Sequence, residues 1–223
     1  MAVVVSRTQG SSTSAGVSRA AHRPCRYEAY VPDPLMGRKI LLPLDVIEEM
    51  AGAEEAIRRL NERGSAVASL EAVSRLLLRA EAIASSRIEG LEAGTQRLAR
   101  VEAARLLGEA SQDVAAEAVL DNVEAMEIAV FGMAARLEVT LDDVLGLHQA
   151  LMRHTKRRAL AGHIRTTQNW IGRNDFNPCD ALFVPPPPDM VPGLLFDLVD
   201  YLNTDEGPPL LQAALAHAQF EAI

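Results

Sequence analysis

Ser85-Ser86-Arg87-Ile88-Glu89-Gly90 closes a long apolar-striped segment. Reading back from it, Val67, Leu70, Val73, Leu77, Ala80, Ala84 and Ile88 recur at the spacing of one buried helix face. Gly90 ends the pattern, as glycine does where a helix needs a left-handed residue just beyond its last turn. Ser85 and Glu89 stand four apart and so share one face. Glu89 is oddly placed. A carboxylate in a last turn meets the negative end of the helix dipole, where a cation is favoured by about 0.3–1 kcal/mol. Two readings stay open: Glu89 is a solvated surface acid, or it is held there to pair with an arginine from another part of the molecule.

Outward from this segment, residues 44–61 read as a helix with Val46, Ile47, Met50, Ile57 and Leu60 inward and Gly64 closing it. The next helix covers about 65–89. Further patterns span about 96–107 and 113–131, the latter striped by Val119, Val123, Met126 and Val130. Thr140-Leu141-Asp142-Asp143 resembles a capping box and opens a helix through Met152. Asp189 is placed to cap a helix over 190–203. Pro208 and Pro209 start a last one, with Leu211, Ala214, Leu215, Ala218 and Ala222 inward. Residues 1–24, rich in Ser, Thr, Ala and Gly, predict a disordered tail. Residues 27–43, with Val31-Pro32-Asp33-Pro34, predict an extended arm on a helical body. The fold class expected is all-α, with a loop-rich region over residues 154–188.

The 223 residues are 48% hydrophobic and only 4% aromatic, which favours a helical domain over a sandwich. A net charge of −8 argues against nucleic-acid binding by the surface as a whole. Cys25 and Cys179 are far apart, form no metal-ligand spacing and are expected to stay reduced. No apolar run approaches the roughly 18 residues of a membrane span, and the start lacks the features of a signal peptide. A soluble cytoplasmic protein is the expectation. The histidines, His22, His148, His154, His163 and His217, show no ligand spacing, so no metal site is expected. Between Val144 and Asn174 lie Arg153, Lys156, Arg157, Arg158, Arg165 and Arg173 without an acid, either a solvated face or a contact for phosphate.

Several stretches, in order, resemble the Fic family of protein adenylyltransferases. Ser85-Ser86-Arg87-Ile88-Glu89-Gly90 is similar to the family's inhibitory motif, placed as in members whose inhibitory helix precedes the core. Gly162-His163-Ile164-Arg165 resembles the segment entering the core. Trp170-Ile171-Gly172 and Phe183-Val184-Pro185-Pro186-Pro187 resemble the hairpin flap over the active site, which implies one short β-hairpin around residues 168–186 on the all-α fold. Asp197–Asn203 and Ala216–Ile223 resemble the two helices that follow. On this resemblance the chain divides into a tail (1–24), an arm and inhibitory-helix region (25–95) and a Fic-like core (96–223).

The family's catalytic signature, His-Pro-Phe-x-Asp-Gly-Asn-Gly-Arg, would follow Phe220–Ile223, where this sequence ends. The resemblance therefore implies a truncated gene product, inactive as it stands and without catalytic residues of its own. For the intact family enzyme it implies AMPylation, the nucleotidyl transfer of AMP from ATP to a Ser, Thr or Tyr hydroxyl of a protein substrate. ATP and Mg would be the cofactors, neither held tightly by this chain, and no resident metal is expected. Autoinhibition would fall to Ser85, Glu89 and Gly90. Arg165 and His217 would lie at the nucleotide cleft, although a packed helix histidine is the plainer reading of His217. Trp170, Ile171, Gly172, Phe183, Val184 and Pro185 would form the target-docking flap, or else a loop pinned by prolines. A homodimer fits the resemblance; a membrane or nucleic-acid partner does not. The alternative is a non-catalytic helical module that binds a partner protein.

Overall fold

The computed structural model describes residues 2–10, 24–64, 70–88, 90–133, 136–155, 157–174, 176–205 and 207–223. Seven α-helices and one two-stranded antiparallel sheet are present among them, so the fold is mainly α-helical as read from the sequence. The chain divides into two compact units, Pro43–His163 and Met1–Leu42 with Ile164–Ile223. That division differs from the boundary placed near residue 95, because the helices on either side of residue 95 share one core.

The first unit holds α1 (Leu44–Gly64), α2 (Leu70–Ile88), α3 (Thr95–Leu107), α4 (Val114–Glu127) and α5 (Leu141–Met152). A π-helical segment, Ile128–Met133, continues α4. Helix α4 packs on α2, α3 and α5. Its Ala116, Val119 and Leu120 meet Leu98 and Val101 of α3 and Ala93, with Ile83 and Leu91 closing the cluster. The caps follow the sequence signals. Asp113 accepts the Ala116 N–H at 3.1 Å. Thr140 and Asp143 form the expected capping box, each side chain accepting the other's backbone N–H.

The buried face of α2 is not the one its large apolar residues mark. Leu78, Ala82 and Ser86 are buried, whereas Val73, Leu77 and Ile88 are 46, 65 and 87% exposed. The reason is close approach over small side chains. Ser86 Oγ donates to Ala82 O at 2.8 Å and accepts from Asn122 Nδ2 of α4 at 2.9 Å, which also donates to Ala82 O. The inward set expected for α1 is corrected too. Val46, Ile47, Ile57 and Leu60 are exposed, since α1 has no extensive packing partner among the described elements. Ion pairs of Arg58 and Arg59 with Glu55, and of Arg58 with Glu62, run along its surface.

In the second unit β1 (Val3–Gln9) pairs antiparallel with β2 (Cys25–Val31), from Val3↔Val31 to Gln9↔Cys25. Residues 3–9 are thus a strand where a structureless tail was expected. The β-branched run Val3-Val4-Val5, with Thr8, suits a pleated ladder once a partner is supplied. Residues 11–23 of that tail lie outside the described residues. The arm beyond β2 reaches α6 (Val191–Leu202) and α7 (Pro209–Ala222). Asp197 accepts the N–H groups of Leu35 and Met36 at 2.6 and 3.2 Å, and Gln219 Nε2 donates to Asp33 O at 3.0 Å.

Gln219 also explains why α7 buries Ala216 and Gln219, while Ala214 and Ala218 of the expected inner face are exposed: the helix turns its amide towards the arm. Pro192 stands in the first turn of α6, but Asp189 does not cap it and instead accepts from Arg7 Nη2 at 3.3 Å. The thiols expected to stay reduced are joined. Cys25 and Cys179 form a disulfide with Cα atoms 5.9 Å apart, brought together by β2 across 154 residues of sequence. No described helix is long and apolar enough to cross a membrane.

Two stability measurements follow. Ser86→Ala should cost about 1 kcal/mol in urea denaturation, one net hydrogen bond, while Ser85→Ala on the exposed face stays within about 0.5 kcal/mol of the parent. The Arg97 guanidinium, then the Ala116 N–H, lowers the Asp113 pKa from 3.8 to about 2. A depressed carboxylate contributes its stability above the unfolded pKa and loses it as pH falls through the folded one. The melting-temperature gap between parent and Asp113→Ala should therefore be constant above about pH 4 and close as pH falls to about 2.

Candidate functional site

The end of α2 is built by its backbone. Gly90 has φ +77°, its N–H donates to Arg87 O at 3.0 Å, and Leu91 N–H donates to Ser86 O at 2.9 Å. This pair of bonds is a Schellman closure, which needs a left-handed residue and so favours glycine. Ser85 is exposed on this helix; the serine engaged in packing is its neighbour Ser86. Glu89 lies outside the described residues, and so does its expected pairing.

In the other unit the flap is a narrow hairpin closed by the bridge Ile171↔Phe183. Ile171 N–H donates to Phe183 O at 2.9 Å, and Ile171 O accepts from Leu182 and Phe183. Gly172 takes φ +111°, and a Cβ there would stand 2.6 Å from Leu182 Cγ, so only glycine fits this turn. Trp170 Nε1 donates to Asn174 O at 2.7 Å and closes the loop from inside. The second arm is anchored through backbone carbonyls. Val184 O accepts from Tyr30 N of β2 at 2.9 Å, Pro185 O from Gln168 Nε2 at 2.9 Å, and Pro186 O from Arg165 Nη2. Tyr30 and Phe183 rings lie 5.9 Å apart. Val184 and Pro185 are buried, as are Pro186 and Pro187, while Ile171 stays 63% exposed. The hairpin is therefore pinned along its proline arm, and the Ile171 side chain is exposed on the other arm.

Arg165 Nη2 also donates to Ile223 O at 3.0 Å, a cation at the C-terminal end of α7 where the helix dipole favours one. Its Nη1 is buried without a hydrogen-bond partner, as is Gln168 Oε1. Burial holds the Arg165 pKa below the usual guanidinium value. His217 is exposed, six residues back from Ile223 on α7, so about 9 Å along the helix axis. Sequence reasoning placed Arg165 and His217 at a nucleotide cleft; it did not foresee that Arg165 holds the proline run, nor that Gln168 and Tyr30 anchor the same run.

It also missed a charged cluster in unit Pro43–His163. Glu117 and Asp121 of α4 and His154 after α5 bring ligand atoms within 4.8 Å of one another, an arrangement able to hold a metal. Arg105 fills it. Its Nε donates to Glu117 at 2.8 Å and its Nη2 to Asp121 at 2.7 Å. The Asp121 carboxylate, fully buried, also accepts the His154 backbone N–H at 3.0 Å. His154 Nδ1 lies 2.7 Å from Asp121 Oδ1 and 3.1 Å from Arg105 Nη2; because the guanidinium cannot accept, a proton on Nδ1 goes to Asp121. Burial alone would lower the Arg105 pKa, but its bonds to Glu117 and Asp121 outweigh this and raise it. The cluster is an ion-pair network in which Arg105 bonds to both carboxylates. The signal for it was the i, i+4 acid pair 117 and 121 threaded among apolar positions of α4. Arg105→Ala should cost about 3–5 kcal/mol in denaturant unfolding, because two buried carboxylates lose their counter-charge. Arg105→Lys should restore only part, since one ammonium cannot reproduce the forked contact.

Comparison with known proteins gives the family. The Fic/DOC family N-terminal model matches residues 47–130, and the Fic/DOC family model matches residues 138–223, which include Arg165, the flap and α7. A Fic family protein from Desulfovibrio desulfuricans G20, known from a crystal structure at 2.70 Å resolution, is similar in fold with a TM-score of 0.59 and 23% sequence identity. The match covers 82% of this chain and 53% of that one, so the chain spans about half the length of that relative. No curated protein matches. Two family models in tandem over most of the sequence, on a helical fold similar to that of a Fic family protein, assign the chain to the Fic family.

Proposed function

We propose that the protein serves AMPylation, the transfer of AMP from ATP to a Ser, Thr or Tyr hydroxyl of a protein substrate, with the end of α2 as its brake. The observation that carries this reading is the Fic/DOC match over residues 138–223, which include a hairpin pinned along its proline arm with the Ile171 side chain exposed on the other. An exposed apolar side chain on a fixed hairpin gives an extended segment of another protein a surface to dock on. In this reading Glu89 pairs with an arginine of the completed active site and keeps the nucleotide from its productive position.

Among the described residues, the set with ligand spacing is already bonded to Arg105 and does not by itself make a Mg and ATP site. Arg165 Nη1, buried without a partner among the described residues, could meet a single phosphate oxygen. The 223 residues contain no His-Pro-Phe-x-Asp-Gly-Asn-Gly-Arg stretch, so they hold neither its histidine base nor its metal-carrying acid. No chemical step is therefore assigned to this chain. It contributes the gating helix end and the flap.

The test has two arms. The purified 223-residue chain, incubated with α-labelled ATP, magnesium and candidate targets, should label neither itself nor them. In the full-length gene product Glu89→Gly should raise AMP transfer strongly, and Ser85→Ala should act in the same direction but less. If Glu89→Gly leaves the full-length protein no faster than its parent, Glu89 is an ordinary surface acid and the brake is lost. Labelling by the 223-residue chain would show that the chemistry lies elsewhere in it. A gene in which the codon for Ile223 is followed by a stop would favour the non-catalytic binding module.

A further inference from the structure

We propose that Cys25 and Cys179 are a redox latch on the turn of the flap. This goes beyond AMP transfer and does not depend on it. The two arms of the flap are held differently. The arm from Val184 to Pro186 is fixed by three carbonyl contacts, from Tyr30, Gln168 and Arg165, and by buried prolines. The turn before it, residues 173–174 and 176–182, carries bonds of its own and turns Asn177 and Pro178 inward. Asn174 Oδ1 accepts the N–H groups of Phe176 and Asn177, and Asn177 Oδ1 accepts that of Cys179. The covalent tie between this turn and β2 is the Cys25–Cys179 disulfide.

Both cysteines are half-exposed, so a reductant can reach them. A cleft of about 660 Å³ opens beside the bond, with Arg26 and Glu28 of β2 on one wall and Pro178 and Ala181 on the other. The step is two-electron exchange. A thiolate of a dithiol reductant attacks one sulfur, and its second thiol resolves the mixed disulfide. The reductant leaves as its own disulfide, and Cys25 and Cys179 each gain one hydrogen as thiols. Reduction removes the covalent tie and loosens the turn, while the proline arm stays anchored. The Ile171 edge, bridged to Phe183 at the junction of turn and arm, then loses the fixed outline that an extended partner segment would meet.

The experiment uses the full chain, oxidised or treated with dithiothreitol, followed by maleimide labelling and hydrogen exchange read by mass spectrometry. The oxidised chain should take no label under native conditions, and the reduced chain two. On reduction, amides of residues 174–182 should exchange several-fold faster, while Tyr30 and the amides of α6 keep their protection. Cys25→Ser and Cys179→Ser should match the reduced chain with or without reductant. Two labels on the air-oxidised chain would show that the bond does not form. Unchanged exchange in 174–182 would show that it latches nothing. Loss of protection across α6 and α7 would make it a staple of the whole unit. A bond that survives an excess of reduced glutathione would be permanent rather than a switch, since resistance to that pool marks structural disulfides. Each of these four outcomes overturns the proposal.

Discussion

A carboxylate with no exposure to water, Asp121, sits in the helix on which three others pack. Burying a lone charge is costly enough to unfold a domain, so everything around Asp121 is arranged to answer it. Arg105 comes from α3, His154 from the segment after α5, and Glu117 from one turn earlier on α4 itself. The apolar contacts among Leu98, Val101, Val119 and Leu120 are interchangeable in kind; the position of Arg105 is not. A guanidinium forked between two acids accepts few orientations. It therefore sets the register of α3 against α4, which hydrophobic contact alone leaves loose.

The unit that carries the flap relies on a different device. Side-chain amides and a guanidinium capture backbone carbonyls of a proline run, which has no N–H groups to pair in return. Gln168 and Arg165 are three residues apart and hold consecutive carbonyls, Pro185 and Pro186. Asp197 does the converse for the arm, accepting two consecutive N–H groups. Irregular backbone is thus made rigid by side chains from regular elements and from the approach to the flap. Function can be placed on a loop only where such support exists.

Most helices could be read from spacing because their caps are written locally: Thr140 with Asp143, Asp113 before α4, Gly90 after α2. Which face each helix buries was less legible. In α2 the eye follows Val73, Leu77 and Ile88, but α4 lies over Ala82 and Ser86, because a hydroxyl and an amide lock a closer contact than large side chains permit. Acids at 117 and 121 read as solvent-facing unless the arginine that answers them is known. The strand at 3–9 and the Cys25–Cys179 bond depend on partners far along the chain, and no local pattern announces them. The flap and Arg165 came from resemblance; their anchoring by Gln168 and Tyr30 needed coordinates.

Gly172 turns the flap by virtue of an atom it lacks. Leu182 occupies the space where a side chain would begin, so the two positions form a single spatial allotment shared between opposite arms. A smaller residue at 182 would free volume but leave the backbone twist in place, and so could not by itself admit a larger residue at 172. The dependence runs one way. Position 182 can drift among side chains with little consequence for the turn, while position 172 is closed to change whatever its neighbour becomes. Variation in the flap's exposed face is therefore channelled to one arm, and the curvature that presents Ile171 is inherited unchanged.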